Sequence, residues 1–279
     1  MSLFSVASKK FLITGGSRGI GLHIARGIKK LGGSVIISSR TEEDCRSACA
    51  QLNERSTSTN SAVTHEEVAA RYVVGDCSSR SGCEALADEV SNLTGGCLDV
   101  LVNNAGCAWG EDLNRESGRM NWGWDKVLDL NVKAPFYLSR SCLPMLTKDK
   151  DNISRIINIG SVAGIVPQEA PTHAYDTSKA AIHHLTKKLS ADFAPRGITV
   201  NCVAPGFVPT RMSKGLGNYA SMEKLANMSP LGRLGEEEDM VGPVVFFSSR
   251  AGEWCTGVIM NVDGGVVGGM RIPLESLDQ

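Results

Sequence analysis

The sequence predicts an α/β fold: one doubly wound domain on a seven-stranded parallel sheet with helices on both faces. Three observations carry this. Short β-rich runs alternate with longer helical ones along the whole chain, the rhythm of repeated β–α units. The β runs are apolar almost throughout, as strands covered on both faces must be. The 279 residues, 42% of them hydrophobic, can build one sizeable core, with no internal repeat and no evident domain boundary between 1 and 279.

In chain order the strands are KFLIT (10–14), SVIIS (34–38), RYVVG (71–75), LDVLV (98–102), RIINI (155–159), ITVNCV (198–203) and GVIMNV (257–262). Helical periodicity falls between them, near 19–31, 42–53, 79–93, 121–146, 174–194 and 236–249. Two segments break the rhythm. ERSTSTNSAVTHEE (54–67) is polar and rich in Ser and Thr, and reads as a surface insertion. The stretch 205–238 is a long excursion before the last helix; excursions of that length often serve as lids over a bound molecule.

Composition excludes several classes. The net charge is −1, and no basic stripe points to nucleic acid. No apolar run approaches the ~20 residues of a membrane span. The N-terminal stretch lacks a signal-peptide layout and leaves little room for a transit peptide. Nine scattered cysteines, with no Cys-x-x-Cys or Cys/His cluster, fit a reducing cytoplasm and no metal. Cys45 and Cys49 are expected on one helix face, and Cys77 and Cys83 on either side of a loop.

ITGGSRGIG (13–21) joins the first strand to the first helix. Gly15, Gly19 and Gly21, with Ser17, Arg18 and Ile20 between them, let the backbone approach a pyrophosphate at a helix N-terminus, as in a Rossmann-type dinucleotide site. The spacing is Gly-x-x-x-Gly-x-Gly. At the end of the second strand an NAD site usually places an acid for the ribose 2′-hydroxyl. Here Ser39 and Arg40 stand there, with Arg18 in the turn. Two guanidinium groups suit a 2′-phosphate in charge and geometry, and predict NADP(H).

AYDTSKAAIHHL (174–185) sets Tyr175 and Lys179 one helical turn apart. A free tyrosine ionises near ~10 and is a poor acid at neutral pH; a cation one turn away favours the phenolate. Ser161, in GSVAG, lies upstream.

With these motifs the chain resembles the short-chain dehydrogenase/reductase family over nearly its whole length. TGGSRGIG matches the cofactor turn. GDCSS supplies Asp76, with Cys77 beside it, where the family contacts adenine. NNAG supplies Asn104, Ala105 and Gly106; LNV supplies Asn131; YDTSK supplies the tyrosine and lysine. NCVAPGFVPT, with Pro205, Gly206, Val208 and Thr210, matches the segment that closes over the nicotinamide, and NVDGG the usual ending. Within the family the resemblance is to the 3-oxoacyl-thioester reductases, the rhamnolipid-pathway type above all. The interval from Ser161 to Tyr175 is a residue longer than is commonest there.

The resemblance implies a catalytic set of Asn131, Ser161, Tyr175 and Lys179 in an NADPH-dependent carbonyl reductase. Tyr175 gives the proton, Lys179 lowers its pKa and binds the nicotinamide ribose, Ser161 bonds the carbonyl oxygen, and Asn131 holds a water leading to solvent. It also implies a homotetramer or homodimer acting on a small carbonyl. Trp109, Phe207, Met212 and Leu216 are candidate substrate contacts; Trp122 and Trp124 suit packing of the fourth helical run. His183 and His184 are expected on the helix surface or at a subunit contact. The stripe Ile182, Leu185, Leu189 and Phe193 suits either core or a helix shared between subunits. Two other readings stay open: an NADP-linked alcohol, sugar or steroid dehydrogenase, and a regulator that senses NADPH without turnover.

Overall fold

The computed structural model describes residues 2–54, 68–116, 123–147, 153–210 and 221–269. Its strands are β1 (Lys10–Thr14), β2 (Ser34–Ser39), β3 (Arg71–Val74), β4 (Val100–Asn103), β5 (Ser154–Ile159), β6 (Ile198–Pro205) and β7 (Ile259–Val262). They form one seven-stranded sheet in the order β3-β2-β1-β4-β5-β6-β7, and every pairing is parallel. The expected β4 slides toward its C-terminal end, because Leu98 and Asp99 bond to Met145 and Lys10 before the ladder begins.

Helices α1 (Gly19–Lys30), α2 (Glu42–Asn53) and α3 (Arg80–Thr94) follow the first three strands. The helical run expected at 121–146 is not one helix. It consists of α4 (Trp124–Leu128), a π-helical turn (Asp129–Lys133), α5 (Ala134–Ser141) and α6 (Leu143–Leu146). Pro135 and Pro144 sit in the first turns of α5 and α6, where a missing N–H costs least. α7 (His173–Phe193), α8 (Met222–Asn227) and α9 (Glu237–Ser248) complete the set. Within the expected excursion, α8 lies in the described part; 211–220 lie outside it. The insertion at 54–67 lies outside the described residues except for Glu54.

Strand alternation sorts the core into two layers. Phe11 and Ile13 of β1 face α1, α2 and α9, packing with Ile24, Ile28 and Phe247. Leu12 faces the other side, with Leu86 of α3, Leu138 of α5 and Leu189 of α7. The α7 stripe belongs to this inner layer: Ile182, Leu189 and Phe193 are buried and Leu185 packs against the layer. The stripe packs into the core. Cys45 and Cys49 are both buried on α2.

Candidate active site

A cavity opens at the C-terminal ends of the strands, where β1 and β4 part the two halves of the sheet; ligands of doubly wound folds sit at this crossover. The glycine-rich turn contributes Gly15, Ser17, Arg18, Gly19 and Ile20; β2 ends in Ser39 and Arg40; Asp76 and Cys77 follow β3. Asn104, Ala105 and Gly106 follow β4, and Pro205, Gly206, Phe207, Val208 and Thr210 close the side beyond β6. Ser161, Tyr175 and Lys179 line the same cavity.

The turn is tied to the strand beside it. Asn104 Nδ2 donates to the carbonyls of Thr14 (2.8 Å) and Gly15 (3.2 Å). The Thr14 hydroxyl accepts from the N–H groups of Asn104 (3.1 Å) and Ala105 (3.0 Å). Gly15 sits at φ +63°, and a Cβ there would stand 2.9 Å from Asn104 Nδ2. Gly21 does not line the cavity. A Cβ on it would collide with Asn104 Nδ2 and the Gly15 carbonyl, so its role is to let α1 press against the turn.

Arg18 is the N-cap of α1, with extended backbone and no side-chain cap bond, and α1 has no acid in its first turn. Its guanidinium lies 3.7 Å from Asp44 at a half-exposed site. Burial pushes the Cys107 thiol up, and Lys126, Lys179 and Arg40 draw it back. Three cations thus bear on one stretch of wall, a field suited to a polyanion. The open glycine cradle, the first-turn N–H groups of α1, and a serine and arginine where an acid would repel a 2′-phosphate together fit NADP(H).

At the other end, Ser161 caps a short 3-10 turn (Val162–Gly164), its hydroxyl accepting the Ala163 N–H at 3.2 Å. It lines the same cavity as Tyr175. Lys179 Nζ lies 5.5 Å from the centre of the Tyr175 ring and donates to the Ile159 carbonyl at 2.9 Å. Burial brings Lys179 down to about 8. Burial pushes Tyr175 up, and Ser161 draws it down. The Lys179 ammonium thus stands beside the Tyr175 ring while tied to the backbone at the end of β5.

Asn131 lies in the π-helical turn, buried behind the cavity wall rather than in it. Its Oδ1 accepts the Cys107 N–H (2.9 Å), while Nδ2 donates to the Cys107 carbonyl (2.9 Å) and the Ser178 hydroxyl (2.9 Å). Both amide hydrogens are used within the protein, so the side chain braces the strand-end loop. Trp109 is also outside the wall. It stacks over Gly123, 37% exposed, and its Nε1 donates to Glu111 at 3.0 Å. Phe207 lines the cavity; Met212 and Leu216 lie outside the described residues, as does Trp122.

His183 is the largest departure. It is 7% exposed, lodged behind Ser161 rather than on the surface. Sequence reasoning also missed Thr14, Ser178, Gln168 and Thr172. Gln168 and Thr172 line the cavity, and Asp176 holds both: it accepts the Gln168 N–H (3.2 Å) and the Thr172 hydroxyl (2.8 Å). Spacing gave a signal only for Asp176 and Thr172, which stand four apart across the first turn of α7.

Comparison with known proteins agrees with this geometry. The family described as Enoyl-(Acyl carrier protein) reductase matches residues 15–267. The chain is 37% identical to the rhamnolipids biosynthesis 3-oxoacyl-[acyl-carrier-protein] reductase of Pseudomonas aeruginosa, over 94% of this chain and 97% of that protein. It is 35% identical to the 3-oxoacyl-[acyl-carrier-protein] reductase FabG of Rickettsia prowazekii, over 95% and 99%. Among solved structures, the Pseudomonas aeruginosa RhlG/NADP active-site complex superposes with a TM-score of 0.85 at 35% identity, over 96% of this chain and 99% of that one.

Proposed function

Because the chain belongs to the short-chain dehydrogenase/reductase family, we propose that it reduces the ketone of a 3-oxoacyl thioester or a related small carbonyl, with Tyr175 as proton donor. It is an NADP(H)-dependent oxidoreductase acting on CH–OH and C=O groups. One observation carries the finer reading: Ser161, Tyr175 and Lys179 share a single cavity with the glycine-rich turn and Arg40.

When bound, NADPH supplies the hydride to the carbonyl carbon. Negative charge then grows on the carbonyl oxygen. The Ser161 hydroxyl hydrogen-bonds that oxygen, a fixed donor where charge develops. Tyr175 delivers the proton; it lines the same cavity as Ser161. Lys179 holds the cofactor ribose and provides the cation beside the phenol. Gly15, Ser17, Arg18, Gly19 and Ile20 hold the pyrophosphate, Ser39, Arg40 and Arg18 the 2′-phosphate, Asp76 and Cys77 the adenine, and Asn104 to Gly106 with Pro205, Gly206, Val208 and Thr210 the nicotinamide half. Phe207 and Ser161 meet the substrate. Asn131 acts by bracing Cys107.

Residues 1–279 are read as one domain of a cytoplasmic homotetramer or homodimer. Phe136 of α5, 40% exposed, and Trp254 before β7, 99% exposed, supply apolar surface for such an assembly. Among the described residues no helix is long and apolar enough to cross a membrane.

The test is NADPH consumption across acetoacetyl thioesters, β-keto esters, diketones, quinones and steroids. Turnover highest with the thioesters supports the reading. Turnover confined to the oxidation of alcohols or sugars with NADP⁺ transfers it to the dehydrogenase alternative. Tight NADPH binding with no turnover on any of them points to the sensor.

A further inference from the structure

His183 has no part in the chemistry above, yet it is buried against its centre. Residue 160 is a glycine, and a Cβ on it would collide with the imidazole Nε2 and stand 2.7 Å from Cys202 Sγ. The imidazole thus fills the space a side chain at 160 would take. Nε2 faces the backbone N–H of Ser161 at 3.5 Å. We propose that His183 is a positioning residue: a neutral imidazole, seated in the Gly160 slot, whose Nε2 accepts the Ser161 N–H and so holds the Ser161 hydroxyl toward the reacting carbonyl. This rests on the reading that Ser161 and Tyr175 act on a carbonyl.

The surroundings keep the ring neutral. Its titratable neighbours are Lys179 and Lys187 on its own helix and the Cys202 thiol of β6 across the slot. Both lysines oppose a second cation, and no carboxylate acts on the ring among the described residues. Burial, the larger cause, and these lysines bring His183 down to about 4, while burial holds the Cys202 thiol at about 12. A neutral ring that accepts through Nε2 carries its proton on Nδ1. That tautomer follows from the hydrogen bond and is open to measurement.

Two measurements test the proposal. The first compares native protein with His183→Leu and His183→Gln. Leucine keeps apolar bulk and has no acceptor; glutamine places a carbonyl oxygen near the Nε2 position. The leucine variant should lose about five- to tenfold in kcat, the scale of one neutral hydrogen bond. Its KM for NADPH should stay native, and glutamine should recover most of the loss. A packing role predicts the reverse order, with leucine the better replacement. Leucine equal to native, or glutamine no better than leucine, overturns the proposal.

The second needs no variant. Native protein labelled with ¹⁵N-histidine carries five imidazoles. One of them should show the Nδ1–H tautomer and remain neutral at pH 5. If every imidazole is Nε2–H or titrates near the ordinary value, the proposal fails, whether or not the variants fold. Native protein inactive on every carbonyl would sink the functional reading instead, and the two failures are distinguishable.

Discussion

The acid sensitivity of the fold follows from the same histidine. A free histidine takes its proton near pH 6.5, whereas His183 in the folded protein does so at about 4. The folded value is depressed. The contribution of His183 to stability is therefore full above 6.5 and disappears as the pH falls through about 4. The unfolded chain gains its proton first, and each unit of separation is worth about 1.36 kcal/mol. Over the window from 6.5 to 4 the loss comes to about 3 kcal/mol, a sizeable share of the ~5–15 kcal/mol by which most domains are stable. Carboxylates also titrate there, so the native curve alone is not diagnostic. The assay is urea unfolding at pH 7.5, 6.0, 5.0 and 4.5, of native protein and His183→Gln. Glutamine does not titrate, so the two stabilities should converge as the pH falls, by about 2–3 kcal/mol at pH 4.5. Parallel curves would show that His183 is protonated in the fold as readily as outside it, and the account of its burial would be wrong.

Other outcomes are expected of the same protein. Tyr175→Phe should cut turnover at least ~10²-fold, the scale of positioned acid–base catalysis, with NADPH binding retained in a fluorescence titration. Lys179→Met should weaken both turnover and NADPH binding. It should also remove a rise in stability between pH 8 and 10.5, because a lysine depressed to about 8 adds stability only as the pH climbs toward its unfolded value. Arg40→Ala should weaken NADPH by about ten- to a hundredfold and leave NADH unchanged, as loss of one charge-assisted contact requires; Ser39→Asp should go further and improve NADH, read as kcat/KM with each cofactor. Gly21→Ala should destabilise by about 1–3 kcal/mol in thermal unfolding, since the added methyl has only Asn104 and the Gly15 carbonyl to displace.

The sheet was legible because its signal is repeated. Seven apolar runs in β–α alternation leave few topologies, and the β1–β4 crossover then sets where a ligand sits. Tyr175 and Lys179 were legible because four residues of helix is a local distance. What depends on contact between distant segments was not. Helical spacing places His183 beside Lys179, but only Gly160, brought in by β5, makes a slot that turns the ring inward. The π-helical turn leaves no mark in periodicity, since the apolar pattern of 121–146 reads as continuous helix. Asn131 was found by motif, and its bracing of Cys107 could not be. Trp109 stands two residues past Cys107 in the wall, but Gly123 accepts its ring on the outside.

The π-helical turn at Asp129–Lys133 has a consequence for insertions and deletions. It holds one residue more than an α-helix would over the same path. Removing a residue there would let α4 and α5 run together as one regular helix, a local gain. The flanking helices would keep their relation, because the turn already absorbs the surplus residue; the side chains inside the turn would be re-phased instead, by about 100° for each position shifted. Asn131 would swing away from Cys107 and Ser178, and the loop after β4 would lose its brace. A single-residue deletion in this turn should thus keep or raise far-UV helicity while abolishing turnover; retained turnover would mean the loop stands without Asn131. The surplus residue is a defect in the helix only when the helix is considered alone.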